Sequence, residues 1–443
     1  MEAPKAPALP LGDSPRADQQ STFELGANRA VAPEWAAEPL NRPGADDGRT
    51  SNHLIIRRVL QDLRVVGLDR AVAAPLCTRI LADWGADVIK VEQPPGGDFS
   101  RGWDTYVEGQ SSYFVLLNRG KRSLALDLKQ PAARDALHRL LENSDVFVHN
   151  MTRRALTGLE LEPERLLEKH PRLIVASIWG YGADGPFAAQ KAYDMLIQGE
   201  VGLEATTGSE AEPARLGIPV ADIGSGLYAA LSILAAVHAR SIDGKGRAVE
   251  VSLFETMLDW MAQPLAQWVN SGVHFKRNGL GHHLLIPYSA FKTRDGVLVN
   301  ITCQQDSEWR SLCRVLRLEG LAEQGELATF AGRRGRRPEV EAAVAAVVGS
   351  LDAADLESLL DGGAIAHGRV RAVEEVPEHP QVIARGLIQD TGFGRLVGPV
   401  VSEALPQRRP PRIGEHGAAI LASLGYSSQE VAALLASGAL TIS

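Results

Sequence analysis

Apolar and polar positions along this chain alternate between two periods. Short, nearly continuous apolar runs at 63–68, 87–92, 123–128, 146–149, 173–177 and 248–253 predict strands, most of them buried on both faces. Between them apolar positions recur every three or four residues, which predicts helices over 76–84, 132–143, 162–169, 223–238 and 254–268. The punctuation agrees. Gly85 closes the first helix, Pro94-Pro95-Gly96-Gly97 stops the second strand, and Asp243-Gly244-Lys245-Gly246 ends the long apolar helix. The opening strand, loop, helix and strand over 63–92 form a β–loop–α–β unit with a short crossover, so a parallel, Rossmann-like α/β sheet is expected.

The texture changes near Asn270. Short strands surround the Arg294-Asp295-Gly296 turn, and helices are expected over 308–316 and 338–351, as in a separate α+β domain. Extended segments return near Pro377, and a helix pair over 418–424 and 428–436 closes the chain. Residues 1–52, rich in Pro, Ala, Asp and Gly, carry neither period and read as a flexible extension.

Composition narrows the function classes. With 46 Lys+Arg against 54 Asp+Glu the net charge is −8, the wrong sign for generic phosphate-backbone recognition, so no nucleic-acid partner is expected. Cys77, Cys303 and Cys313 are too few and too scattered for a disulfide framework or a zinc site. The N-terminus lacks an apolar signal core, and the longest apolar stretch, 227–237, is shorter than the roughly 18 residues of a membrane span. A soluble cytoplasmic protein without a membrane partner is the expectation.

Most candidate motifs reduce to structure. Gly244-Lys245-Gly246 lacks the spacing of a phosphate loop and reads as a turn. Arg333-Arg334-Gly335-Arg336-Arg337 reads as a solvated loop, and His282-His283 is not the i,i+4 pair of a helical metal site, so no metal is expected. Asp222, between an extended segment and the long helix, has two readings. It is an N-cap, or it is a carboxylate held anionic by the helix terminus and approachable past flanking glycines, hence a nucleophile. Spacing alone leaves both open.

Six blocks, taken in order, resemble the class III CoA-transferases, the CaiB/BaiF family, from 63 to about 435. They are 74–92, opening on Ala74-Pro75-Leu76 and closing on Ile89-Lys90-Val91-Glu92; Gly97-Asp98 with Arg101-Gly102-Trp103; Asn118 to Leu128; Gly180-Tyr181-Gly182-Ala183-Asp184-Gly185-Pro186; Ala221-Asp222-Ile223-Gly224-Ser225-Gly226; and Gly414-Glu415-His416. The resemblance implies an interlocked homodimer. It also implies a large CoA-binding domain in two parts, 53–225 and 370–443, with a small domain at 262–345 between linkers 226–261 and 346–369.

By the same resemblance Asp222 is the catalytic carboxylate, moving CoA from an acyl-CoA such as succinyl-CoA to a carboxylic acid through a mixed anhydride and an aspartyl-CoA thioester. Coenzyme A is then carried as substrate, with no metal. Arg70, Ala71 and Val72 correspond to the loop against CoA, Leu126, Lys129 and Asn150 to adenine- and phosphate-side positions, and Lys191 to a basic position near the thioester. Trp103, Tyr113, Tyr193 and Asp194 correspond to the substrate pocket. The chain also departs from the family pattern. Val72 stands where formyl-type members often have Gln, Ala74 where Gly is usual, Met151-Thr152 where many have Pro-Gly, and Gly158 at a common Arg. Asn278-Gly279-Leu280-Gly281-His282 is closer to the dicarboxylate branch. The alternatives are a 2-methylacyl-CoA racemase on the same fold, whose His position holds the weakly basic Tyr193, and a non-catalytic CoA-binding paralogue.

Overall fold

A computed structural model describes residues 59–400 and 409–443; the expected extension over 1–52 lies outside them. The first stretch runs β1 (Arg64–Leu68), α1 (Ala73–Asp83), β2 (Asp87–Glu92), α2 (Ser112–Asn118), β3 (Arg122–Leu126), α3 (Pro131–Glu142), β4 (Val146–His149), α4 (Arg153–Leu159), α5 (Pro163–Lys169) and β5 (Ile174–Trp179). It continues through α6 (Asp194–Glu200), α7 (Val220–Asp243), β6 (Ala248–Ser252), α8 (Leu253–Trp260) and α9 (Ala262–Ser271).

Strands β1 to β6 are parallel, in the order β3-β2-β1-β4-β5-β6. This is the doubly wound order of dinucleotide-binding sheets. The continuous apolar runs follow from burial on both faces. Val65, Val88, Val148 and Ile174 join one core with residues of α1, α7 and α8, while Val66, Ile89, Phe147 and Val175 join a second with residues of α3 and α5. The chain winds outward from β1 through β2 and β3, then resumes on the other side of β1 with β4. The crevice beyond the carboxyl ends of β1 and β4 is therefore the topological switch point, where open α/β sheets bind ligands.

The chain then builds a separate three-stranded sheet, β7 (Tyr288–Lys292), β8 (Leu298–Thr302) and β9 (His367–Arg369). It is covered by α10 (Asp306–Val315), α11 (Glu319–Ala322), α12 (Phe330–Gly335), α13 (Arg337–Val348) and α14 (Ala353–Gly362), and a third core runs from Ile286 to Ile365. After α15 (Pro380–Arg385) and the hairpin β10 (Ile388–Asp390) and β11 (Arg395–Val397), the C-terminus returns to the large sheet as α16 (Gly417–Ser423), α17 (Ser428–Ala436) and β12 (Leu440–Thr441). β12 pairs antiparallel with β3, and the Gly414 and His416 amides bond Ser123 Oγ and the Ser123 carbonyl.

Three segments differ from the sequence reading. Residues 226–261, expected as a linker, hold most of α7 and all of β6 and α8, which contribute to the large sheet and its first core. Residues 346–369, also expected as a linker, hold α14 and β9 of the smaller body, with Leu356 and Leu360 in its core. The apolar stretch 227–237 and the helix expected over 223–238 also undersized α7. Its 24 residues are long and apolar enough to cross a membrane by length and composition, yet Val220, Ala221, Ala229, Ala230, Ile233 and Ala236 are buried in the first core.

Candidate active site

The loop after β1 is held from two sides. Asn150, just past β4, spans the switch point. Its Oδ1 accepts the Arg70 N–H at 3.0 Å and its Nδ2 donates to the Arg70 carbonyl at 2.8 Å. From below, Asp98 Oδ1 accepts the Ala71 N–H at 3.3 Å. Ala71 sits at φ +62°, left-handed backbone that a side chain makes costly. Val72, buried, is the N-cap residue of α1 and supplies no side-chain cap. Arg70 and Lys129 are both exposed and line a cleft of about 90 Å³ with Leu68, Val91, Glu92, Gln93, Leu128, Met151 and Leu159. Two cations over an apolar floor suit an anionic ligand with a flat or aliphatic part.

Leu126 does not join them through its side chain. It is fully buried in the second core and lies opposite Leu440 in the sheet, so only its backbone faces the strand end. Asn150 uses one Nδ2 proton and one Oδ1 lone pair on the Arg70 backbone, so it positions that loop while its half-buried amide keeps a second donor and a second acceptor.

Asp222 is not the N-cap. That residue is Pro219, and Asp222 lies in the first turn of α7. The capping carboxylate comes from elsewhere in the chain. Asp194, buried at the start of α6, accepts the Ala221 N–H at 2.7 Å and the Asp222 N–H at 3.4 Å through Oδ1. Gln198 Nε2, one turn along α6, donates to Asp194 Oδ2 at 2.6 Å. The orphan amides of α7 thus spend themselves on Asp194. Among the described residues nothing donates to the Asp222 carboxylate. Burial, and then the Asp194 charge, push Asp222 up from 3.8 to about 7. The helix terminus therefore does not hold Asp222 strongly anionic, because another carboxylate has taken its donors.

Asp222 is nevertheless tied to the loop. Gly226, four residues on, shares its helix face. A Cβ on Gly226 would lie 2.6 Å from the Ala73 carbonyl oxygen, so α7 rides on the first residue of α1, two positions past Ala71. The carboxylate thus stands one helical turn, about 5.4 Å of rise, from the contact with the start of α1.

Trp103 and Tyr113 meet edge to face with ring centroids 5.0 Å apart, and Phe99 packs on Trp103 at 5.7 Å. Tyr193 is 66% exposed and precedes α6, next to Asp194. Lys191, also exposed, lies three residues before Asp194. Among the described residues no group of three or more His, Cys, Asp or Glu is arranged to hold a metal. The three cysteines are free and buried, and burial pushes Cys303 and Cys313 up to about 12.

Sequence reasoning missed the charged cluster under the loop. Lys90, Asp69, Asp98 and Lys121 are all buried at the carboxyl ends of β1 and β2 and ahead of β3. Beside them Arg101 pairs with Glu92 at 2.9 and 2.7 Å. The available signal was a lysine inside the otherwise apolar strand at 87–92, since an unpaired lysine is almost never fully buried.

Comparison with known proteins agrees with this geometry. The model of CoA-transferase family III matches residues 60–417. A succinate–glutarate CoA-transferase of Agrobacterium fabrum is 34% identical over 382 residues, covering 82% of this chain and 95% of its own. A succinyl-CoA:mesaconate CoA-transferase of Haloarcula hispanica is 32% identical, covering 83% and 97%. The crystal structure of a CaiB/BaiF family protein from Brucella suis superposes with a TM-score of 0.73 at 33% identity, over 83% of this chain and all of that one. The switch-point cleft and the Asp194–Asp222 pair thus stand on a chain that belongs to CoA-transferase family III.

Proposed function

We propose that this protein transfers CoA from an acyl-CoA donor of the succinyl-CoA type to a carboxylic acid, with Asp222 as the nucleophile. The observation that carries the reading is the Asp222 carboxylate itself. It is part-buried, without a donor among the described residues, and one turn from the helix contact beside the Arg70–Val72 loop. A carboxylate raised toward 7 is more basic, hence more nucleophilic, than an ordinary one, yet remains about half ionised near neutrality.

In the first step an Asp222 oxygen adds to the thioester carbonyl, and CoA leaves as thiolate, giving a mixed anhydride. The thiolate then attacks the aspartyl carbonyl, giving an aspartyl-CoA thioester and freeing the donor acid. The acceptor carboxylate attacks that thioester and expels the thiolate again. Thiolate attack on the acceptor's acyl carbon then yields the new acyl-CoA and restores Asp222. Each step trades one activated acyl bond for another, so thioester energy is conserved without ATP. Arg70 and Lys129 would neutralise CoA's phosphates, Lys191 would stand near the thioester, and the Trp103–Tyr113 pair would wall the pocket against water. Dicarboxylic acceptors are favoured by the names of the relatives, which include glutarate and mesaconate.

The working unit in this reading is a homodimer in the cytoplasm. Exposed Leu227 and Leu231 on α7 and Trp268 and Val269 on α9 supply apolar surface for a second copy, and three unpaired thiols fit a reducing compartment. The large domain would comprise 53–225 and 370–443 together with the helix and strand segments of 226–261, and the small one 262–345 together with α14 and β9.

The test uses purified protein with succinyl-CoA and a panel of carboxylic acids, read by mass spectrometry. New acyl-CoA species are expected from the wild type and none from Asp222→Ala. A CoA adduct should appear on the peptide bearing Asp222 when the donor is supplied alone. Near-normal turnover by Asp222→Ala would refute the assignment.

A further inference from the structure

A lysine in the middle of a buried strand needs compensation, and Lys90 has it in full. Its ammonium, with no exposed surface, donates to the Asp69 carbonyl at 2.5 Å, Asp69 Oδ1 at 3.0 Å and Asp98 Oδ2 at 3.0 Å. Those three bonds use every donor of an ammonium. Asp98 passes the constraint on. Its Oδ1 holds the N–H groups of Ser100 at 3.0 Å and Ala71 at 3.3 Å. Asp69 is braced from the other side by Lys121 Nζ at 3.0 Å and Thr78 Oγ1 at 2.5 Å. The two lysines balance the two aspartates in charge, as buried ions require.

The cluster has no opening to solvent, and its members cannot reach a ligand. What it touches is backbone. Between them Lys90 and Asp98 fix the Asp69 carbonyl and the Ala71 amide, the two ends of the turn that presents Arg70. Ala71 is the residue in strained left-handed conformation, and such strain persists only where surrounding structure over-determines it.

We propose that Asp98, clamped by Lys90, is a positioning residue for the acyl-CoA site: it holds the Arg70–Val72 turn in its ligand-ready shape. This rests on the reading of that turn as the CoA-facing loop. A preorganised loop binds without first being ordered, so loosening it should weaken binding and raise KM more than it lowers kcat.

The experiment compares full-length wild type, Asp98→Asn, and the charge-balanced pair Lys90→Met with Asp98→Leu, which leaves Asp69 to Lys121 and Thr78. Amide hydrogen exchange, CoA affinity by calorimetry, and KM with kcat for succinyl-CoA are measured on each. In the double variant exchange across 70–72 should quicken by about 100-fold while β5 and β6 stay protected. CoA affinity should fall about tenfold or more. Asp98→Asn keeps an acceptor oxygen and should fall between, and it carries the test should the double variant fail to fold. Unchanged exchange at 70–72, or faster exchange with unchanged CoA affinity, would overturn the proposal. A wild type that binds no CoA would instead remove the functional reading, and with it the ligand this turn is said to await.

Discussion

Replacing Asp222 by Asn should make this protein more stable, by a margin that grows from mildly acidic pH up to neutrality. The carboxyl rises from 3.8 to about 7 on folding, so the folded state binds its proton more tightly than the unfolded chain does. Below about pH 3 the group is protonated in both states and contributes nothing. Between pH 4 and 7 the unfolded chain ionises while the folded one resists, and the penalty grows; above 7 it is fully present. At about 1.4 kcal/mol per pH unit the ceiling is about 4 kcal/mol, and the partial exposure of the side chain brings a realistic figure to about 2 kcal/mol. Asn has nearly the same shape and no charge. Urea midpoints, with the slope checked for constancy, should therefore favour the variant by about 2 kcal/mol at pH 8, by about 0.5 kcal/mol at pH 4.5, and not at all near pH 3. A variant equally or less stable at pH 8, or a difference flat across pH, would refute the burial-and-repulsion account. The gain would come with lost transfer activity, the usual exchange at a strained functional site.

Asp194→Asn keeps an oxygen for the α7 amides but removes a charge. Since burial contributes more than Asp194 to the rise of Asp222, the acid limb of the kcat/KM profile should move down by less than about 1.5 pH units, and an unmoved limb would exclude the repulsion. Gly226→Ala puts a methyl 2.6 Å from the Ala73 carbonyl. It should cost about 1–3 kcal/mol by overpacking and weaken CoA binding by moving α1, which calorimetry on the folded variant would show; unaltered affinity would separate α7 from the loop.

Much of this architecture was legible along the chain. The two periods located β1 to β6 and the helices α1, α3, α5 and α7 to within about five residues, because strands buried on both faces leave unbroken apolar runs and helices packed on one face do not; the single helix expected over 254–268 breaks at Met261 into α8 and α9. Helices α2, α4 and α6 escaped notice. Each spans only seven residues, two turns, and lacks the proline start that marks the equally short α5 at Pro163, while α2 and α4 start at caps, Ser111 and Thr152, that resemble any turn residue. The pair of linkers was misread for another reason. A change of composition marks where surface exposure changes, whereas membership of a sheet is decided by hydrogen bonding to a strand distant in sequence, as β6 bonds to β5.

At the site, the order of motifs marked out the family, Asp222 and the Arg70–Val72 loop, since residue identity and spacing are properties of the sequence. Tertiary structure decided what those residues experience. Asp222 alone reads as a cap with a depressed pKa. Asp194, 28 residues away, takes the helix amides and adds its charge, and the direction reverses. Asn150 is also a clasp on the Arg70 backbone, and the Leu126 side chain lies in the core. Lys90 reads as a polar interruption of a strand, yet it is the brace beneath the loop. Local sequence sets which groups are present and how the chain near them bends. Electrostatics and hydrogen-bond partnership depend on distance through space, which only the folded chain defines.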